Sequence, residues 1–280
     1  MSRVFEALCA HLKTHPEAEV QDAVKFLYQA SFGGGHFLSD PDGAYLYLLK
    51  EAEIANLDAA YTEALGEQYA RINLSALQEL SPKTLFAMFK ASSEDTPTDK
   101  TAFLSLLDEL ENADLFDKSE NAAFLKSYRA AGCPAVHHSE AYRRAYHPAY
   151  RVVKKAYADF LSAFIAIDKL TAEKAPVTVA IDGLCGSGKT TFAALLQSVY
   201  DCNLFHADDF YLPMPMRTPE RYATPGGTRC SRKNGSRSRT STSLPTLLKS
   251  NVTLFLRRKF QKKFFISVCT AACIRIFLCF

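Results

Sequence analysis

Apolar positions recur every three or four residues from the start of the chain to about residue 172. RVFEALCAHL, from Arg3, and VQDAVKFLYQA, from Val20, each gather them into one stripe, which predicts a helix with a single buried face. SPKTLFAMFKA opens with Ser81 at an N-cap position and Pro82 at the first helical position. KTAFLSLLDELENADLF and NAAFLKSYRAAG keep the period, the second stopped by Gly132 and Pro134. AYRVVKKAYADFLSAFIAIDKL, from Ala149, reads as one long amphipathic helix. It runs into TAEKAPV, a polar stretch with Pro176 that marks a domain boundary. The pattern predicts an all-α N-terminal domain over residues 1–172, with no internal repeat.

After Pro176 the period changes. VTVAIDG is a short β-branched run that reads as a buried strand, GKTTFAALLQSVY as a helix, and CNLFHADDFYL as a second strand ending in two carboxylates. Strand, glycine loop, helix and strand open a parallel α/β sheet. The expectation is an incomplete α/β P-loop domain over 176–227, holding the first two strands of a parallel sheet.

At 280 residues and 48% apolar, the chain is long enough for two domains with a sizeable core. Its net charge of +3 hides an asymmetry. Residues 228–280 carry 12 of the 33 Lys and Arg and none of the 30 Asp and Glu, so the tail is +12 and residues 1–227 are −9. Four cysteines lie in the body (Cys9, Cys133, Cys185, Cys202) and four in the tail (Cys230, Cys269, Cys273, Cys279), without a CxxC pair. A polar, charged helix pattern follows Met1 where a secreted chain would have an apolar leader, and the expected location is a reducing cytoplasm. The most membrane-like stretch, Phe264 to Phe280, is short for a span and carries Arg275, so no membrane is expected.

GLCGSGKT, Gly183 to Thr190, matches G-x-x-x-x-G-K-[ST]. Gly183, Gly186 and Gly188 let the backbone take positive φ and come close to a polyphosphate. Consecutive N–H groups then form an anion nest at a helix N-terminus, where the dipole also favours negative charge. Lys189 brings a mobile positive charge to the β and γ phosphates, and the Thr190 hydroxyl is placed to ligand Mg²⁺. ATP and Mg²⁺ are the expected cofactors, cradled by Gly183, Leu184, Cys185, Gly186, Ser187, Gly188, Lys189, Thr190 and Thr191. Cys185 reads either as a small residue tolerated in the loop or as a thiol made mildly reactive by the helix N-terminus.

Asp208 and Asp209 stand at the carboxyl end of the second strand, the edge that borders the ligand crevice in open α/β sheets. A carboxylate there can accept the proton of an attacking hydroxyl or orient Mg²⁺ through water; the alternative is a pair of caps for the next helix. VTVAIDGLCGSGKTTFAALL, then HADDFYLP, then RTPERYATPGG resembles the start of a uridine kinase, within the uridine kinase and phosphoribulokinase family of P-loop kinases. The resemblance covers about residues 176–227. It implies transfer of the ATP γ-phosphoryl to a nucleoside such as uridine or cytidine. It makes Asp208 the catalytic base and puts Asp209 in the variable second place, near the metal. Arg217, Arg221 and Tyr222 fall in the stretch that helps shape the acceptor side. Another small alcohol, such as pantothenate, stays open as acceptor.

Kinases of this kind continue PGG with N-[VI]-D, a helix of the type ERMEAEVL, a Walker-B-like strand and an Arg-rich lid. The tail has none of these and no carboxylate, so this chain is expected to be impaired and the tail poorly ordered. Three readings of residues 228–280 stand side by side. Twelve positive charges suit a nucleic-acid arm, in a nucleotide-responsive nucleic-acid-binding protein. RRKFQKKFFISVCTAACIRIFLCF suits a membrane-surface or tail-anchor segment. Out-of-frame translation, the favoured reading, explains the compositional break. Codons for KNGSRSR, Lys233 to Arg239, written AAR-AAY-GGN-AGY-CGN-AGY-CGN, permit Arg-Met-Glu-Ala-Glu-Val when read from the second base.

The first domain has polar clusters of its own. SFGGGHFLSD, Ser31 to Asp40, reads as a second anion nest or as a Gly-rich helix terminator. Residues 132–153 concentrate His137, His138, Tyr142, Arg143, Arg144, Tyr146, His147, Tyr150 and Arg151. These suit an anionic or nucleotide ligand, or equally a helix facing a domain interface. His137, His138 and His147 lack the i, i+4 geometry of helical zinc sites, so no metal is expected there. The arrangement is similar to the helical extension ahead of uridine-kinase-like domains in some bacteria.

Overall fold

The computed structural model describes residues 2–35, 38, 40–94, 96–173, 177–183, 186–206, 252–257, 266–269 and 274–279. They fall into two compact units, Met1–Leu161 and Ser162–Phe280.

In the first unit, α1 (Arg3–Thr14) starts at Ser2, whose Oγ accepts the Phe5 N–H at 3.2 Å. α2 (Val20–Phe32) opens with a reciprocal capping box between Glu19 and Asp22. Ten of its thirteen residues are buried, including Asp22, Lys25 and Gln29, which must therefore find polar partners inside. α3 (Pro41–Ala52) is capped by Asp40, which accepts the Gly43 N–H at 3.1 Å. Then come β1 (Thr62–Ala64), β2 (Tyr69–Asn73), a 3-10 turn (Leu74–Gln78) and α4 (Pro82–Ser93). Ser81 and Pro82 take the expected positions, although the Ser81 side chain makes no capping hydrogen bond. α5 (Thr101–Asn112), α6 (Lys118–Ala130), α7 (Glu140–Tyr146), β3 (Tyr150–Lys154) and α8 (Lys155–Asp159) complete the unit. The apolar core joins Leu8, Phe26 and Leu27 to Phe103, Leu107, Leu110 and Leu125, all fully buried.

The unit is helix-rich but not all-α. β1, β2 and β3 form an antiparallel sheet, with Ala70 opposite Val153 and Ile72 opposite Arg151. The expected single long helix from Ala149 does not form: residues 150–154 are β3, and the rest is divided at Phe160 into two helices, Lys155–Asp159 and Leu161–Glu173. β-branched Val152 and Val153 suit a pleated surface, and both are buried. Their partner strand lies far back in the chain, so helical periodicity alone could not reveal the pairing.

α9 (Leu161–Glu173) belongs, after its first residue, to the second unit. Its Phe164 ring meets Phe192 edge-on, with ring centres 6.4 Å apart. Its Asp168 accepts the Tyr200 hydroxyl at 2.8 Å. β4 (Val177–Gly183), α10 (Lys189–Val199) and β5 (Cys202–His206) follow in the predicted order. β6 (Val252–Arg257), β7 (Ile266–Cys269) and β8 (Ile274–Cys279) come from the basic tail, whose other residues lie outside the described ones.

The five strands lie in the order β5-β6-β4-β8-β7. β6 runs parallel to both β4 and β5, so the two strands expected to begin the sheet are separated by a third. β8 is antiparallel to β4 and to β7. The sheet is thus mixed, which corrects the expected parallel one. Only residues 270–273 join β7 to β8, far fewer than a parallel crossover requires. Among the described residues no helix is long and apolar enough to cross a membrane.

Candidate functional site

β4 buries Val177, Val179, Ala180 and Ile181 and so delivers Gly183 to the sheet's edge at a fixed place. Leu184 and Cys185 lie outside the described residues. The chain then turns through Gly186, φ +76°, and Gly188, φ +85°, and enters α10 at Lys189. Both φ values lie in the left-handed region that favours glycine. Among the described residues a Cβ on either glycine would meet no atom within 4 Å, so conformation demands glycine here. Gly188 is the N-cap of α10 and has no side chain to cap it. The first N–H groups of a helix are ones it cannot satisfy internally, and they favour a negatively charged acceptor. Between the glycines, the buried Ser187 Oγ has no hydrogen-bond partner among the described residues. A buried hydroxyl left so costs about 1–3 kcal/mol, which an acceptor oxygen in the turn would offset. Thr190 and Thr191 are exposed on the first turn. These features fit a phosphate group.

The second strand serves the same edge. Ile181 of β4 and His206 of β5 are both in register with Leu256 of β6, and the three strands are parallel. The carboxyl ends of β4 and β5 therefore lie on one side of the sheet, roughly 10 Å apart with one strand between. Asp208, Asp209, Arg217, Arg221 and Tyr222 follow His206 but lie outside the described residues, as does His36. Asp182, just before the loop, is in register with Arg257 on one side and Arg275 on the other, so both neighbouring strands bring tail arginines to this edge.

The first unit holds a second polar centre. Arg71, on β2, is 1% exposed. Its guanidinium donates to Glu63 Oε2 at 2.9 Å and, through Nε and Nη2, to Gln29 Oε1 at 3.0 and 2.8 Å. It also lies 4.5 Å from the centre of the Tyr150 ring and 5.1 Å from that of Phe26. Burial would raise the Glu63 carboxyl, but Arg71 and His11 outweigh it and hold the group at about 2.

Asp22 is the other anchor. It accepts from His138 Nδ1 at 2.7 Å, from Ser139 Oγ at 2.6 Å and from the Ser139 N–H at 3.1 Å. Burial, only partly opposed by Asp22, pushes His138 down to about 4. A neutral His138 that donates from Nδ1 leaves Nε2 to accept the Tyr150 hydroxyl at 2.6 Å. Tyr142 stacks on the imidazole at 4.3 Å. Burial, with Arg71 and Arg143 adding to it, brings Lys25 down to about 8, and its Nζ donates to Val136 O at 2.9 Å.

His138, Tyr142 and Tyr150 of the predicted cluster are thus brought together, Arg151 pairs instead with Glu51, and His137, Arg143, Arg144 and His147 stay exposed. Gly33 ends α2 by donating to Gln29 O, and a Cβ there would lie 2.7 Å from Tyr69. The helix-terminator reading of the three glycines fits this geometry. Sequence reasoning missed Asp22, Lys25, Gln29, Glu63 and Arg71. The legible trace was polar residues on what periodicity made the apolar face of α2.

Comparison of the chain with protein-family models, curated proteins and solved structures finds no match.

Proposed function

We propose that the second unit is the nucleotide-binding part of an ATP-dependent phosphotransferase. In this reading it moves the γ-phosphoryl of ATP to a hydroxyl of a nucleoside such as uridine or cytidine, in the cytoplasm. One observation carries the proposal: the Gly186–Gly188 turn at the head of α10, with two left-handed glycines around a buried Ser187 hydroxyl that has no partner among the described residues. The resemblance of residues 176–227 to the start of a uridine kinase supports the choice of reaction.

In this mechanism the loop N–H groups and Ser187 Oγ hold phosphate oxygens, and Lys189 sets its charge beside the β and γ phosphates. The Thr190 hydroxyl would hold Mg²⁺, with Asp209 orienting it through water; bound with ATP, the ion neutralises phosphate charge. Asp208 would take the proton of the attacking hydroxyl. Positioning and charge stabilisation do most of the work in such transfers. Residues 228–280 supply no carboxylate, so nucleotide binding with little turnover is expected of this chain.

Equilibrium titration of the 280-residue protein with ATP and Mg²⁺ tests the reading. A dissociation constant below about 1 mM is expected, weakened about tenfold or more by Lys189→Ala. No binding at that concentration, or equal binding by the variant, overturns it. ADP formation compared with uridine, cytidine and pantothenate present then identifies the acceptor.

A further inference from the structure

We propose that the first unit carries a second ligand site, a cavity that binds a small organic anion: a phosphate or carboxylate group on an apolar, ring-sized body. The cavity has a volume of about 650 Å³, within the usual range of small-molecule sites. All of its walls come from residues 25–152 of the first unit.

Charge selects the anion. Lys25, Arg143 and Arg151 line the cavity together with Asp40 and Glu51. Both carboxylates are already engaged: Glu51 accepts from Arg151 Nη1 at 2.6 Å, and Asp40 caps α3. Arg143 holds the His138 carbonyl through Nε at 3.0 Å, and a guanidinium anchored in this way keeps two terminal nitrogens that can serve a bidentate acceptor. The formal charge of the lining, three cations to two carboxylates, is positive, and exposed His137 and His147 add donors there.

The apolar part has its own wall. Phe89 and Val152 are buried beneath it, while Tyr47 and Ile54 are 60% and 78% exposed. Large apolar side chains left this open beside a cationic cavity are what an amphipathic ligand would cover. The floor is rigid because His138 and Tyr150 are fixed by Asp22 and by one another, so little ordering is needed on binding.

Calorimetric titration of the whole chain with 1-naphthyl phosphate, 1-naphthoate and neutral 1-naphthol separates charge from ring. At least one anion should bind with a dissociation constant under about 1 mM and roughly tenfold tighter than 1-naphthol. Arg143→Gln should weaken it about tenfold, and so should Ile54→Asp; both replace exposed side chains and should leave the melting temperature in place. Lys189→Ala should leave this binding unchanged, which separates the cavity from the phosphate loop of the second unit. A preference for naphthyl phosphate or for naphthoate tells which anion the site is built for. The proposal is overturned if 1-naphthol binds as well as the anions, if neither anion binds, if both exposed substitutions are without effect, or if Lys189→Ala abolishes binding.

Discussion

His138 and Asp22 form a buried hydrogen bond 2.7 Å long between residues 116 positions apart. It fastens the segment before α7 to the buried helix α2, and with the two Ser139 bonds it fixes one wall of the cavity.

This pair makes the first unit acid-sensitive. His138 titrates near its ordinary value in the unfolded chain and at about 4 in the fold. Between those values the unfolded chain binds the extra proton, so stability falls as pH drops from about 6.5 to about 4, by up to ~1.4 kcal/mol per pH unit. Asp22 is held below the usual carboxylate range: burial raises it, but its hydrogen bonds from His138 and Ser139 outweigh that. Its contribution is therefore lost at lower pH still. Urea denaturation at several pH values should show this slope, and His138→Gln should start less stable and respond more weakly to pH. An unchanged slope in the variant would refute the assignment.

The Arg71–Glu63 pair predicts an asymmetry. Glu63→Gln leaves a fully buried guanidinium facing neutral acceptors and should cost about 3–5 kcal/mol. Arg71→Met removes the buried charge, while Glu63, 29% exposed, can still reach water. The arginine substitution should therefore be the milder of the two in chemical denaturation, and the reverse order would show that the aromatic contacts of Arg71 dominate.

Burial is opposed at Glu63 by Arg71 and His11, so its carboxyl loses its charge only near pH 2. Its stabilising contribution is complete above its ordinary value and disappears as pH falls through about 2. A melting curve of Glu63→Gln should therefore converge on that of the unsubstituted protein at the acid extreme; a constant gap would exclude the charge as its cause.

In the loop before α10, Gly188→Ala tests conformation without crowding, since a Cβ there meets no described atom within 4 Å. The left-handed φ should cost about 1 kcal/mol of stability, and ATP affinity should fall much further as the turn relaxes. Equal losses in melting temperature and affinity would argue against a role for the turn in binding.

Ser187→Ala should split the two readouts in opposite directions. Removing a buried hydroxyl that has no partner among the described residues should leave the ligand-free protein as stable or up to ~1 kcal/mol more so, while ATP affinity drops severalfold. A loss of stability without ligand would mean that the hydroxyl has an internal partner.

The loop motif was legible because it is local. Gly183 to Thr190 are neighbours in the chain; Gly186 and Gly188 take the expected positive φ, whereas Gly183 ends β4. The buried network was not legible. Arg71, Glu63, Asp22 and His138 come from separate elements and signal nothing at fixed spacing; each is tolerated inside only because the others are there.

The same division runs through the fold. Helical periodicity by itself determined α1, α2, α4, α5 and α6, and the change of period after Pro176 determined β4, α10 and β5. Only the tertiary structure decided that residues 150–154 pair with β2 instead of opening a helix, and that β6 stands between β4 and β5. A helix closes its hydrogen bonds within four residues, so its signal lies in neighbouring positions. A strand completes its bonds on a partner that can lie anywhere in the chain, and which partner it takes depends on how the faces pack.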